Sequence, residues 1–264
     1  MTGIQLGRHV YGLAAIGFGL LGLSWRQFNI WQQIAPLGLV HHSEILLSLI
    51  AAIQIAGGIA IQFARTARAG AAALGIVYLF FALLWLPLYF AKPVYDSLGN
   101  FFEQFSPVSG AIIVYASSGA QSPKMARFAR IGYYCFALSV VSFTLEQALY
   151  LHGTARFVPT WIPPGQMFWA ITTTIAFALA AIALFIGRSA LLASRLLTLM
   201  IGLFGLLIWL PAPFRHPELL TNWAGNAENW AIAGSAWIVT DYLAMLYACA
   251  GSSALPSRRR VTAS

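Results

Sequence analysis

The sequence predicts an all-α, polytopic membrane protein of about eight transmembrane helices, arranged as two parallel four-helix repeats. Three observations predict this. Of 264 residues, 59% are hydrophobic and only 8% are charged, whereas a soluble domain carries about 25% charged residues. Mean hydropathy is +0.75, so too few charges exist to cover a water-facing surface. The chain also reads as one apolar unit written twice. Trp85-Leu86-Pro87-Leu88-Tyr89-Phe90 returns as Trp209-Leu210-Pro211-Ala212-Pro213-Phe214. Arg8 with Arg130, Pro36 with Pro159 and Gly110 with Gly234 recur at nearly the same interval. The copies occupy 1–122 and 123–264, the second ending in a basic tail.

The first span is expected at about 8–27. No small-residue cleavage site follows its apolar run, since Ser24-Trp25-Arg26-Gln27 is the wrong chemistry, so it reads as a retained helix rather than a signal peptide. The second and third spans are expected at about 43–63 and 70–90, and the fourth at about 105–120. Pro107 falls in the first turn of the fourth, where its missing N–H would be unpaired anyway. Spans five to eight are expected at about 128–150, 166–186, 190–210 and 229–250. Pro87 and Pro211 lie near the ends of spans three and seven, where proline stops or kinks a helix. Gln54 and the run Thr172-Thr173-Thr174 read as hydrogen bonders between helices.

Charge assigns the sides. Arg8, Arg65, Arg68, Lys124, Arg127, Arg130, Arg188, Arg195, Arg258, Arg259 and Arg260 fall on one side, and Arg26, Lys92, Arg156 and Arg215 on the other. The second side also holds Glu44, Asp96, Glu103, Glu146, Glu218 and Glu228, in loops or at span ends. Positive charge is retained in the cytoplasm, so the chain is expected in the bacterial inner membrane with both termini cytoplasmic. Four spans per copy then make the copies parallel. Trp25, Trp31, Trp161, Trp169, Trp223 and Trp230 lie near the external side, as an aromatic belt does.

The same distribution excludes nucleic acid as a partner. The pI of about 9.9 comes from basic residues in short inter-span segments, not from a groove-binding face. Cys135 and Cys249 form no CxxC pair. His41, His42, His152 and His216 are external and His9 is at the inner boundary, so paired ligands for a membrane haem are lacking. The four external histidines show no metal-ligand spacing, and no metal is expected. Phosphate loops and nucleophile elbows are absent.

The external loops of the second copy are the richest in polar and aromatic residues. Glu146, His152, Arg156, Trp161, Arg215, Asn226 and Glu228 would line a pocket there for a planar polar group such as a quinone ring or a sulfur oxyanion. The rival reading is a loop pair that packs over the bundle and satisfies its own backbone. Arg156 and Arg215 are the expected partners of Glu146, an ionisable group in the outer third of its span. Asp241 is expected near the middle of the last span, protonated or paired with Arg130 or Arg8.

The second copy resembles the DoxX-like membrane protein family. The resemblance rests on Leu149-Tyr150-Leu151-His152, on Phe157-Val158-Pro159-Thr160-Trp161-Ile162-Pro163, and on a helix opening at Gly165-Gln166-Met167-Phe168-Trp169. The first copy keeps only Ile34-Ala35-Pro36. The resemblance implies a four-helix bundle per copy and, for some members, a place in sulfur or quinone redox complexes. The expectation is therefore an accessory membrane subunit with no intrinsic cofactor. It would bind a quinone or another small molecule beside a membrane or periplasmic redox partner protein. The alternatives are a scaffold or assembly factor acting through small-residue faces (Ala51-Ala52, Gly57-Gly58, Ala176 to Ala183), or a small-solute transporter centred on Asp241.

Overall fold

The computed structural model describes residues 6–38, 44–120 and 122–253, and the described residues form helices and short connections without a strand. His41 and His42 lie outside the described residues, as do Arg258, Arg259 and Arg260. Eleven α-helices follow in order: α1 Leu6–Trp25, α2 Asn29–Ile34, α3 Glu44–Ala60, α4 Ala67–Ala91, α5 Tyr95–Ser117 and α6 Pro123–Leu149. After these come α7 Leu151–Phe157, α8 Gln166–Ile186, α9 Ala190–Phe204, α10 Ala212–Arg215 and α11 Leu220–Ser253. A π-helical turn, Gly205–Trp209, joins α9 to the connection before α10.

Among the described residues, six segments are long and apolar enough to cross a membrane: α1, α4, α6, α8, the composite Ala190–Arg215 and α11. Two of the eight expected spans fall outside that set. Helix α3 has 17 described residues. Helix α5 carries Asp96, Glu103, Gln104 and several serines, and it can do so because it is central. Its Ser97, Gln104, Ser106 and Ser109 are buried in protein, so they need not be compatible with lipid. Outward faces elsewhere are apolar. Ile175, Leu179, Ile182 and Ile186 form one exposed stripe on α8, and Leu192, Leu196, Leu199 and Leu203 another on α9. A helix facing water would place its charges there. These faces are compatible with a multi-pass membrane protein.

The long helices pack in chain order around a ring: α1 on α3, α3 on α4, α4 on α5, α5 on α6, α6 on α8, α8 on α9 and α9 on α11. The ring closes where α11 packs along α1, and α5 packs on α11 across its middle. One large core, including Tyr11, Tyr78, Phe136, Val140, Leu184, Leu197 and Val239, runs through both halves of the chain. A second cluster, with Phe18, Phe28, Trp31, Phe81 and Trp85, fills the region between α1, α2, α3 and α4. Trp31 is thus a core residue, 4% exposed, rather than a member of an external belt.

Glycine makes the closest approaches. A Cβ on Gly58 would lie 2.6 Å from the Gly12 carbonyl, and one on Gly70 would lie 2.6 Å from the Ile61 nitrogen. The Gly57-Gly58 face is therefore used inside the chain, between α1, α3 and α4, and is not free for a partner helix. Ala51, Ala180 and Ala181 are likewise buried.

Prolines set the local geometry differently from expectation. Pro107 is interior to α5, not in its first turn, because the helix starts at Tyr95. Proline supplies no N–H to the carbonyl four residues back, and Ser106 Oγ donates to that Glu103 carbonyl instead, at 3.1 Å. Pro87 also lies inside a helix, with α4 running on to Ala91. Pro211 does interrupt its helix and caps α10.

Hydrogen bonds tie the basic segments to one end of the bundle. Arg8 Nη2 donates to the Gln62 carbonyl at 3.5 Å, and His9 Nδ1 lies 2.6 Å from Gln62 Oε1. Arg68 bonds to the Tyr115 hydroxyl at 3.2 Å with its guanidinium over that ring. Tyr247 donates to the Gly187 carbonyl at 3.2 Å. The opposite end holds the exposed Arg26–Glu44 pair at 3.7 Å and the bond from the Asp96 backbone N–H to the Tyr150 hydroxyl at 3.2 Å.

Candidate functional site

A cavity of about 630 Å³ opens at the end opposite the basic one. Its walls come from α5, α6, α7, α8, α9, the π-helical turn and α11. Most of the lining is apolar: Phe143, Phe157, Phe177, Phe204, Trp169 and Trp209 supply aromatic faces, with Met200, Leu207 and Ile232 between them. Asp96, Glu103 and Glu146 are its ionisable carboxylates, and no Lys, Arg or His lines it among the described residues.

Local structure places each group. The expected fourth span began at 105, but α5 begins ten residues earlier, at Tyr95. Asp96 and Glu103 thus become helical residues seven apart, on one face two turns apart. That face meets α6, where the Glu146 carboxylate lies directly over Gly99, so that a Cβ there would collide with it. The three carboxylates thus line one cavity together. Gln147, the next residue, accepts from Thr173 Oγ1 at 3.3 Å and from Thr174 Oγ1 at 3.2 Å, fixing α6 to α8. Two of the three threonines expected to bridge helices do so, while Thr172 bonds only within α8, to the Phe168 carbonyl at 2.7 Å.

The π-helical turn carries the far wall. Gly205 lies tight against Asn229 and Trp230, where a Cβ would meet Asn229 Nδ2 at 2.7 Å. Asn229, buried on α11, donates to the Ile201 carbonyl at 3.2 Å. Such a bulge shifts the helical phase by one residue, and Leu207, Ile208 and Trp209 line the cavity. The Trp209 ring rests against Phe157 with centroids 5.9 Å apart. Above it, Pro159 and Ile162 of the 158–165 loop close the rim. That loop is held by Gln166 Nε2 on the Val158 carbonyl at 2.6 Å and by Trp169 Nε1 on the Pro163 carbonyl at 2.9 Å.

The residues expected to share one pocket are divided. Glu146 lines the cavity. His152, Arg156 and Arg215 are exposed, and Trp161 is 68% exposed. The helical phase of α7 turns Ala155 into the bundle and leaves Arg156 outside. Neither arginine forms an ion pair with Glu146, and the ion pairs among the described residues are Arg26–Glu44 and His216–Glu218. The connection carrying Arg215 satisfies its own backbone. Asn222 Nδ2 donates to the carbonyls of Ala212 and His216 at 3.3 and 3.2 Å, and Trp223 Nε1 to that of Pro217 at 3.0 Å.

Glu228 lines a second, smaller cavity of about 20 Å³, on the other side of α5, and accepts from Gln104 Nε2 at 2.5 Å. Asn226 is half-buried near it in sequence, with its Oδ1 unpartnered. Asp241 is the twenty-second of the 34 residues of α11. It accepts from the Gly7 backbone N–H, at the first turn of α1 and the basic end of the bundle. Helix α11 starts nine residues before the expected span, which shifts the position of Asp241 along it. Gln54 is fully buried and its amide has no hydrogen-bond partner among the described residues, contrary to its expected bridging role.

The chain matches no family model, no curated protein and no solved structure. What the large cavity can hold follows from its own chemistry. Aromatic walls suit a flat apolar ring or chain. Carboxylates without a cation disfavour an anion such as a sulfur oxyanion and suit a group that donates hydrogen bonds or takes up protons.

Proposed function

We propose that the chain is a DoxX-like inner-membrane protein that binds a small lipophilic molecule of the quinone class, as an accessory subunit of a redox system. One observation carries this reading: a cavity of about 630 Å³ with seven aromatic side chains in its walls and Asp96, Glu103 and Glu146 beside them. A quinone ring would lie against Trp169, Phe204 and Trp209, and the carboxylates would exchange protons with its oxygens when a partner protein changes its redox state. The protein supplies binding, orientation and proton exchange, and the electrons come from the partner.

The proposed frame is eight spans in two parallel repeats, with the basic end in the cytoplasm. Helix packing supports it. As α1 packs on α3 and α11, so α6 packs on α8 and α5. As α4 packs on α5, so α9 packs on α11. The repeats interlock, since the first helix of each packs along the last helix of the other. Gln104 and Glu228, which meet across the centre, are themselves one repeat interval apart, at 124 residues.

The test is titration of the purified full-length chain with a short-chain ubiquinone, followed by tryptophan fluorescence. Trp169 and Trp209 line the cavity, so saturable quenching is expected. It should be lost in Leu207→Trp, which fills the space, and thiosulfate should produce none. Quenching that does not saturate, or that is unchanged in Leu207→Trp, overturns the reading.

A further inference from the structure

The smaller cavity has a chemistry of its own. Glu228, Gln104 and Asn29 line it, with Phe28, Phe81 and Trp85 around them. Among the described residues Glu228 enters no ion pair, and its hydrogen-bond donor is Gln104 Nε2. Gln104 is only 7% exposed, and because its nitrogen is committed to Glu228, its Oε1 is buried without a partner. Asn29 Oδ1 is buried without a partner as well. Two amide oxygens and one carboxylate thus share a space of about 20 Å³, with no basic side chain lining it among the described residues. Unpartnered buried oxygens are costly, and the half-buried Glu228 carboxylate without a counter-charge adds to that cost.

We propose that Asn29, Gln104 and Glu228 form a binding site for one small monovalent cation, with sodium as the ion tested. Hard cations take oxygen ligands, and the three residues offer oxygens for such an ion. One carboxylate balances one positive charge, whereas a calcium ion takes about 6–8 oxygens. The cavity has room for a single water-sized body. Because the bond from Gln104 to Glu228 joins α5 to α11, a cation there would fasten the two central helices. The site is separate from the larger cavity, so its test is read without a quinone.

The experiment is thermal unfolding of the purified full-length chain in sodium chloride against choline chloride, at equal ionic strength. A ligand that binds only the folded state raises the midpoint with the logarithm of its concentration. A rise of a few degrees is expected between about 1 and 100 mM sodium. It should vanish in Glu228→Gln and shrink in Asn29→Ala. Identical midpoints in the two salts would mean that the cavity holds water only and would overturn the proposal. A sodium effect undiminished in both variants places the ion elsewhere and overturns it too. Should Glu228→Gln fail to fold, Asn29→Ala and the ²³Na NMR line width decide. Broadening by the wild-type chain but less by Asn29→Ala supports the site, and equal or absent broadening contradicts it.

Discussion

Gln104 Nε2 donates to Glu228 Oε1 at 2.5 Å, and the bond fastens α5 to α11 at the centre of the bundle. Glu228 is half-buried, and a carboxylate there that loses its donor keeps its desolvation cost and gains nothing in return. Gln104→Leu is therefore expected to destabilise the chain by about 1.5–3 kcal/mol. Gln104→Leu combined with Glu228→Leu should recover part of that loss, because two apolar side chains need no partner. Thermal unfolding of the single and double variants in the same detergent checks it.

Gly99 and Glu146 make a second such relationship, in which the carboxylate occupies the space a Cβ would need. Gly99→Ala is expected to push Glu146 aside and weaken quinone binding at least several-fold. Gly17→Ala is the control, because nothing lies within 4 Å of a Cβ at Gly17. It should leave binding unchanged and, inside a helix, change stability by about 0–1 kcal/mol in the favourable direction. Equal binding by both variants would separate Glu146 from the ligand.

The seam between α1 and α3 predicts a steric effect without chemistry. A Cβ on Gly58 would meet the Gly12 carbonyl at 2.6 Å and the Ile16 nitrogen at 3.1 Å, both backbone atoms that cannot turn away. Gly58→Ala should cost about 1–3 kcal/mol, as overpacking does. Ala52→Leu, at an exposed position on the same helix, should cost little. Denaturation midpoints of the two variants distinguish them.

Topology can be read with single cysteines in a background lacking Cys135 and Cys249. Ser189→Cys marks the connection between α8 and α9, and Thr160→Cys marks the rim of the large cavity. An impermeant maleimide applied to whole cells is expected to label position 160 and spare position 189. The reverse pattern would turn the basic end outward.

The long helices were legible in the sequence because lipid-facing and core-facing residues are both apolar, which leaves uninterrupted runs such as 166–186. Helix α5 was legible only in its second half. Its first half carries Asp96, Glu103 and Gln104, which look like a loop until the helix is placed at the centre, where protein shields them. The seven-residue spacing of Asp96 and Glu103 was the available signal for an acidic face. Glu146 stands out in the sequence as an ionisable group within a span, and it lines the large cavity, but Arg156 and Arg215 are not its ion-pair partners. Whether Arg156 turns in or out depends on the phase of α7, a helix of seven residues that hydropathy does not register. The start of α11 is hidden in the same way, because the polar run Asn222 to Asn229 masks the first turns of that helix.

The most direct measurement is native mass spectrometry of the full-length chain extracted gently from its own membrane, beside the Leu207→Trp variant. The account predicts a wild-type species heavier by the mass of one quinone, and a variant without it. A wild-type chain that carries no such adduct, or one that the filled cavity retains equally, would contradict it.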